Sequence, residues 1–264
     1  MKYNVIGQRI PSIEALEKAS GVGKYASDVV LPNMLWGKIL RAPLPHARIL
    51  TIDTAEARKL KGVRTILTAS DCPDKRLGHM IPDETVLATD KIRFTGDEIA
   101  AVAATDPDIA EEALELIKIE YDPLPIIGTT AEALAEGAPL VHEDKQHNIA
   151  MQGEMERGEF EKAWANTNHR IETTFKTSSA HQCYMEPMGC TADFSAQGKL
   201  TLHVGIQDPW IACQHYAEIL GMNESKIRIM HSFVGGGFGS KKMVVLHLIA
   251  ALLSRNTGRP VRID

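Results

Sequence analysis

The sequence predicts an α+β fold in two domains, because short strands are mixed with helices and one polar stretch separates two apolar regions. The chain has 264 residues, of which 44% are hydrophobic and 24% are charged. This balance is typical of globular proteins and is sufficient for two compact cores. Residues 126–150 are polar and punctuated by Gly and Pro, which favours a linker. We therefore expect a first domain over residues 1–125 and a second over residues 151–264.

The first domain alternates short strands with two helices. Residues 36–54 predict two strands separated by a proline-containing turn, and the helix that follows ends at Gly62. A strand, a helix and a strand follow over residues 98–125, where Asp106 is expected to cap the helix and Pro107 to take its first position.

The second domain is expected to be built around a hairpin and two longer helices. Since no element follows its last strand, which ends at Asp264, we expect this domain to continue in another chain or to have been cut away. The predicted elements are a helix at 160–167, a strand at 169–178, a hairpin at 190–206, a helix at 209–222, a strand at 226–234, a helix at Met243–Ser254 and a strand at 261–264.

Composition argues against two classes of partner. A net charge of -5 and few aromatic residues give no basic surface for nucleic acid. The longest apolar stretch, Met243–Leu253, is too short to cross a bilayer.

The N-terminal residues carry charges where a signal peptide needs apolar residues, so we expect a cytoplasmic protein. The four cysteines form no C-x-x-C pair, which disfavours an iron-sulfur or zinc site within this chain.

The most informative motif is the glycine loop, residues 234–242, with the sequence VGGGFGSKK. Three consecutive glycines allow a ligand to approach backbone N–H groups closely. A helix is predicted directly behind the loop, and a helix N-terminus favours an anion or a metal-bound oxygen. A glycine-rich turn without a ligand is the alternative interpretation.

Nucleotide binding is a second interpretation of the glycine loop. A phosphate-binding Walker loop is absent. A dinucleotide fingerprint would need Gly at position 240 after Gly235 and Gly237, and Ser240 stands there. The acidic Asp264 at the end of the next strand resembles a residue that binds ribose, so a nicotinamide-dependent dehydrogenase remains a lower-ranked hypothesis.

Several motifs resemble those of the xanthine dehydrogenase and aldehyde oxidoreductase family of molybdenum hydroxylases. The glycine loop is similar to the family's Gly-Gly-Gly-Phe-Gly loop, and further motifs follow the family's order along essentially the whole chain. The variant that the chain resembles most is the large subunit of 4-hydroxybenzoyl-CoA reductase. The further motifs lie at residues 21–53, residues 96–104, Met185–Pro187 (MEP) and Ile206–Pro209 (IQDP).

The resemblance implies an α/β hammerhead domain followed by the first, incomplete part of a molybdopterin-binding domain. Within the hammerhead domain, it implies a structural role for His46. It places Gln207 beside the apical oxygen of molybdenum, where the amide could donate a hydrogen bond. The backbone of Gly236, Gly237, Phe238 and Gly239 would face the cofactor, with Gln207 and Phe238 near the metal. We also expect Gly237 to approach the cofactor closely with an unusual φ.

The resemblance also implies what this chain lacks. Purine-oxidising members carry an acidic substrate-binding residue four positions after the loop Phe, whereas this sequence has Lys242, which becomes the candidate substrate residue. The family's catalytic base is a Glu near the far C-terminal end of a much longer protein, and no equivalent lies in this chain. Glu186 of the MEP motif is interpreted as structural. We expect no catalytic residue here and no activity from the chain alone.

The implied cofactor is molybdopterin, as its cytosine dinucleotide, with molybdenum. Implied partners are an iron-sulfur subunit, an FAD subunit and a companion chain that completes the molybdopterin-binding domain. The substrate would be an aromatic, heteroaromatic, CoA-thioester or aldehyde small molecule. A non-catalytic fragment or scaffold that binds partner chains is the alternative.

Overall fold

The computed structural model of the chain describes residues 3–78 and 80–264, and these fall into two compact units. The larger unit contains the residues up to Ile126 together with Tyr184–Asp264, and the smaller unit is Ile127–Cys183. The described helices are α1 (Ala15–Ser20), α2 (Ala55–Lys59), α3 (Pro107–Glu115), α4 (Thr130–Leu134), α5 (Phe160–Ala165), α6 (Pro209–Leu220) and α7 (Val245–Thr257). The described strands are β1 (Leu35–Arg41), β2 (Ala47–Asp53), β3 (Val63–Leu67), β4 (Lys91–Ile92), β5 (Glu98–Ala104), β6 (Lys118–Pro123), β7 (Cys190–Phe194), β8 (Leu200–Val204), β9 (Ile227–His231) and β10 (Val261–Ile263).

A seven-stranded sheet forms the centre of the larger unit, in the order β3-β5-β1-β10-β7-β8-β9. Two neighbouring pairs, β1 with β10 and β8 with β9, are parallel, and the other pairs are antiparallel. A second, three-stranded antiparallel sheet has the order β4-β2-β6. The predicted turn between the first two strands is confirmed, and it carries the chain from one sheet to the other.

Strand β5 is covered on both faces, which explains its run of small apolar residues. Ala101 and Ala103 belong to the cluster that includes the residues of α7, β7 and β8, whereas Ala100 and Val102 belong to the cluster formed with α2 and α3. A strand covered on both sides is apolar along its length rather than alternating. The predicted caps of α3 are also confirmed, since the Asp106 side chain accepts from the N–H of Asp108 and Pro107 is the first helical residue.

Helix α7 is buried around nearly its whole circumference, from Leu246 to Ser254. Its buried imidazole, His247, shares a hydrogen bond of 2.7 Å between Nδ1 and the hydroxyl of Tyr216, which is also buried. The same hydroxyl accepts from the N–H of Val244 at 3.3 Å. Burial, with the charge of Lys241 as a smaller cause, lowers the pKa of His247 to about 3.

The smaller unit contains α4, α5 and long irregular segments. A capping box of Thr129 and Glu132 begins α4, and the Asn148 side chain accepts from the N–H of Val141 at 2.9 Å. The strand predicted over residues 169–178 is wrong, because these residues are exposed and form no strand. They pair with none of the strands that the structure describes, so their alternating pattern has no sheet to join.

Two further comparisons with the sequence concern α7 and membranes. The helix begins at Val245 rather than at Met243 and ends at Thr257 rather than at Ser254. The helix starts later because Val244 has an extended backbone, with a φ of -127° and a ψ of 117°. Among the described residues, no helix is both long enough and apolar enough to cross a bilayer. The two predicted domain boundaries remain predictions.

His247 makes the stability of the larger unit depend on pH. The unfolded imidazole has a pKa near 6.5 and the folded one a pKa of about 3, so the unfolded state binds the extra proton between these values. Stability from the neutral imidazole is therefore complete above pH 6.5 and is lost progressively as the pH falls toward 3. From pH 7 to pH 5, urea titrations should show a loss of about 2 kcal/mol that His247→Gln does not show.

The matched control for this measurement is His169→Gln, which changes an exposed imidazole. This variant should keep the pH dependence of the parent protein. An unchanged pH dependence in His247→Gln would contradict the assignment of a neutral, buried imidazole.

Candidate functional site

Three segments of the chain converge at one edge of the seven-stranded sheet. Because β8 and β9 are parallel neighbours in register, residues 205–208 and the glycine loop leave the sheet at the same edge. Strand β7 is antiparallel to β8, so residues 184–189, which precede β7, reach this edge as well. The topology therefore brings together the IQDP motif, the MEP motif and the glycine loop, which are far apart in sequence.

Gln207 is attached to the glycine loop through both its backbone and its side chain. Its N–H donates to the carbonyl of Lys241 at 2.7 Å. Its Oε1 accepts from the N–H of Gly239 at 3.0 Å and from the N–H of Lys241 at 3.2 Å. Two N–H donors require the amide oxygen on this side, which fixes the amide orientation. The Nε2 group forms no hydrogen bond with the described residues, so it remains available to donate to a ligand.

Two of the three consecutive glycines are required by the chain's own side chains. A Cβ atom on Gly237 would lie 2.6 Å from Oε1 of Gln207, and a Cβ atom on Gly235 would lie 2.4 Å from the Cβ of Glu186. The unusual φ predicted for Gly237 is wrong, since positive φ values occur instead at Gly236 (92°) and Gly239 (101°). Gly237 is therefore needed for space, and Gly236 and Gly239 for their backbone conformation.

The glycine loop presents a row of unpaired hydrogen-bond donors. The backbone N–H groups of Gly236, Gly237 and Phe238 form no hydrogen bond within the described part of the chain. Successive free N–H groups in a loop with positive φ values form a concave site for anions or oxygen atoms. This arrangement fits the polar groups of a molybdenum cofactor. It provides hydrogen bonds only, and the described residues contain no group of three His, Cys, Asp or Glu side chains placed to hold a metal ion.

The remaining predicted residues occupy different environments. Phe238 is 72% exposed and has a φ of 49°, an uncommon conformation for a bulky residue that is often found at functional sites. Lys242 is also exposed. His46 is buried, with Nδ1 2.7 Å from the carbonyl of Pro125, and this contact lies at the three-stranded sheet, where the imidazole ties β2 to the end of β6.

A buried ion pair lies beneath the glycine loop and was not predicted from the sequence. Nζ of Lys241 is 2.7 Å from Oε2 of Glu186, and the same oxygen accepts from the N–H of Gly235 at 2.7 Å. Glu186, which the sequence analysis interprets as structural, is one member of this pair. The only signal in the sequence was the pair of adjacent lysines at 241 and 242. The sequence gives no reason to choose which of the two turns inward.

The topology does not favour the dinucleotide interpretation. In a dinucleotide-binding unit, the strand before the glycine loop and the strand after the helix belong to one parallel unit, whereas here β7 and β8 lie between β9 and β10. Asp264, the proposed ribose ligand, pairs instead with Arg262. Two residues, Met243 and Val244, separate the glycine loop from α7, whereas the prediction placed the helix directly behind the loop.

Two family models match the chain. The a/b hammerhead domain of aldehyde oxidase and xanthine dehydrogenase matches residues 20–125. The molybdopterin cofactor-binding domain matches residues 141–264, which include the IQDP motif and the glycine loop.

Individual relatives agree with these matches. The nicotinate dehydrogenase large molybdopterin subunit of Eubacterium barkeri is 36% identical over 98% of this chain and 61% of its own length. The xanthine dehydrogenase molybdenum-binding subunit of Escherichia coli O157:H7 is 32% identical over 96% of this chain and 35% of its own length. The chain thus spans between about a third and about three fifths of these relatives.

Solved structures show the same fold. Quinoline 2-oxidoreductase from Pseudomonas putida 86 superimposes with a TM-score of 0.89 at 31% identity, over 99% of this chain and 35% of the other. CO dehydrogenase from Oligotropha carboxidovorans gives a TM-score of 0.88 at 30% identity, over 97% of this chain and 34% of the other. The chain therefore belongs to the aldehyde oxidase and xanthine dehydrogenase family, with its a/b hammerhead domain and residues of its molybdopterin cofactor-binding domain.

Proposed function

We propose that this chain is the N-terminal portion of the cofactor-binding catalytic subunit of a molybdenum hydroxylase or dehydrogenase. The observation that carries the proposal is the Gln207 amide, whose oxygen is held by two loop N–H groups while its NH2 group stays free beside three unpaired backbone donors. This set of donors suits the oxygen-rich face of molybdopterin and its metal. When bound, the molybdenum cofactor supplies two-electron redox chemistry.

The residues of this chain would bind and orient the cofactor. Nε2 of Gln207 donates toward the metal centre, and the N–H groups of Gly236, Gly237 and Phe238 donate toward the cofactor. Gly239 completes the turn and anchors Oε1 of Gln207. Phe238 contributes through its backbone near the metal, and the exposed Lys242 is the candidate contact for an anionic group of the substrate.

Substrate and partners follow from the family rather than from this site. We propose an aromatic, heteroaromatic, CoA-thioester or aldehyde substrate, with 4-hydroxybenzoyl-CoA reductase as one candidate activity. Two relatives carry names that describe them as subunits, one a large molybdopterin subunit and the other a molybdenum-binding subunit, which supports a heteromeric complex. The proposed complex contains an iron-sulfur subunit, an FAD subunit and a companion chain, and its cofactor is the cytosine dinucleotide form. We propose that this complex is cytoplasmic and that it is inactive without the family's C-terminal Glu.

The composition of the native complex tests this function directly. A tagged chain isolated from its source cells should bring down companion chains by mass spectrometry, and elemental analysis should find both molybdenum and iron. A chain isolated without companions or metals would instead support a non-catalytic fragment. Nicotinamide in place of molybdenum would support a dehydrogenase of the dinucleotide-binding type.

Gln207 can be tested by separating its two functions. In the holoenzyme, Gln207→Ala should lower molybdenum content and turnover by roughly 10- to 100-fold, because the donor and the loop contacts are both lost. Gln207→Glu keeps an oxygen for the N–H groups of Gly239 and Lys241 but removes the NH2 donor, so turnover should fall while the loop keeps its hydrogen exchange protection. The control Gln214→Ala, on the exposed face of α6, should change neither quantity. Full turnover in Gln207→Glu would contradict the donor role.

Gly237 provides a test of the space that Gln207 needs. A Cβ atom would lie 2.6 Å from Oε1 of Gln207, so Gly237→Ala should displace the amide and lower molybdenum content nearly as much as Gln207→Ala. In the Gln207→Ala background the added methyl group has room, so it should have little further effect. Such non-additivity is expected for residues in contact. Additive losses in the double variant would mean that Gly237 is required for another reason.

A further inference from the structure

We propose that Glu186 and Lys241 are a positioning pair that sets the conformation of the glycine loop and, through it, the orientation of Gln207. The inference rests on the proposed function for its consequence on cofactor retention. Its structural part, the control of the loop by a buried ion pair, stands on the contacts of this chain alone.

The pair is buried and fully engaged. The side chains of Lys241 and Glu186 are only 2% and 8% exposed. Nζ of Lys241 donates to the carbonyl of Glu186 at 2.8 Å and to its Oε2 at 2.7 Å, and it lies 4.9 Å from the centre of the Tyr184 ring. An ammonium group without such partners would not remain in this environment.

Glu186 holds the beginning of the loop in place. Its Oε2 accepts from the N–H of Gly235 at 2.7 Å, and its own N–H donates to the carbonyl of Gly235 at 3.1 Å. Its Oε1 accepts from the N–H of Ala26 at 3.4 Å. A Cβ atom on Gly205 would lie 3.1 Å from both carboxylate oxygens. Glu186 therefore occupies a slot that glycine residues at 205 and 235 keep open.

Lys241 holds the end of the loop and connects the pair to Gln207. Its N–H donates to Oε1 of Gln207 and its carbonyl accepts from the N–H of Gln207. One residue thus contacts Glu186 through its side chain and Gln207 through its backbone. Lys241 therefore links the ion pair to the backbone atoms that orient the Gln207 amide, which makes the ion pair a positioning element rather than a catalytic one.

The alternative is that the two charges only neutralise each other inside the protein. Removing one partner would then destabilise the protein by leaving a buried charge, and removing both charges would restore it. A positioning role predicts a different outcome, since a neutral pair still lacks the contact between Lys241 and Glu186. The variants Lys241→Met and Glu186→Gln/Lys241→Met separate these two possibilities.

The experiment compares these variants in the holoenzyme by hydrogen exchange of the peptide that covers residues 234–242, by thermal unfolding and by molybdenum content. Lys241→Met should speed exchange in this peptide by roughly 10-fold and lower molybdenum content by roughly 10- to 100-fold. In Glu186→Gln/Lys241→Met, thermal stability should recover toward the parent value, but loop exchange and molybdenum content should not. The control Lys59→Met, which breaks the exposed pair with Glu56, should leave all three unchanged.

The outcomes distinguish this inference from the proposed function. Parent-like loop protection in the neutral double variant would overturn the positioning role, because charge neutralisation would then be sufficient. If the parent protein contained no molybdenum, the proposed function would fail, while the exchange data would still decide whether the pair controls the loop. Faster exchange throughout the larger unit of Lys241→Met, rather than in the loop peptide alone, would also overturn the inference.

Discussion

The two halves of the seven-stranded sheet meet at a strand of only three residues. Strand β10 lies between β1 and β7, pairing Val261 with Leu35 on one side and with Ala192 on the other. The fit is tight, because a Cβ atom on Gly37 would lie 2.6 Å from Ile263. Helix α7 packs over this junction and leads directly into β10. The core of the larger unit and the edge that carries the candidate site both depend on this central position.

The candidate site is organised by the protein's own side chains. Glycines at 235 and 237 exist because Glu186 and Gln207 fill the space that their side chains would take. The glycine loop is therefore shaped from within by the protein, and its free N–H groups are a consequence of that shape. A sequence motif that suggests close ligand approach thus has a second explanation, which is close approach by the protein itself.

The sequence predicted most of the fold, but not the contacts that shape the glycine loop. The pattern of β5 and the caps at Asp106 and Pro107 are local, so they were readable without tertiary information. The prediction of a strand over residues 169–178 was wrong because a strand needs a partner, and an alternating pattern of apolar and polar residues does not provide one. The choice of Lys241 over Lys242 as the buried lysine depends on where Glu186 lies in space, which no local pattern records. The prediction of an unusual φ for Gly237 was wrong for the same reason, since the close contact comes from Gln207 in another loop.

The position of β10 also has a consequence for biosynthesis. The sheet partner of Leu35, Val261, is synthesised 226 residues later. At translation rates of about 5 to 20 residues per second, this delay amounts to roughly 10 to 45 s. During that time, β1 has an open edge of unpaired backbone groups, which is a template for aggregation. The edge of β1 that faces β10 therefore stays unpaired on the nascent chain until β10 has been synthesised.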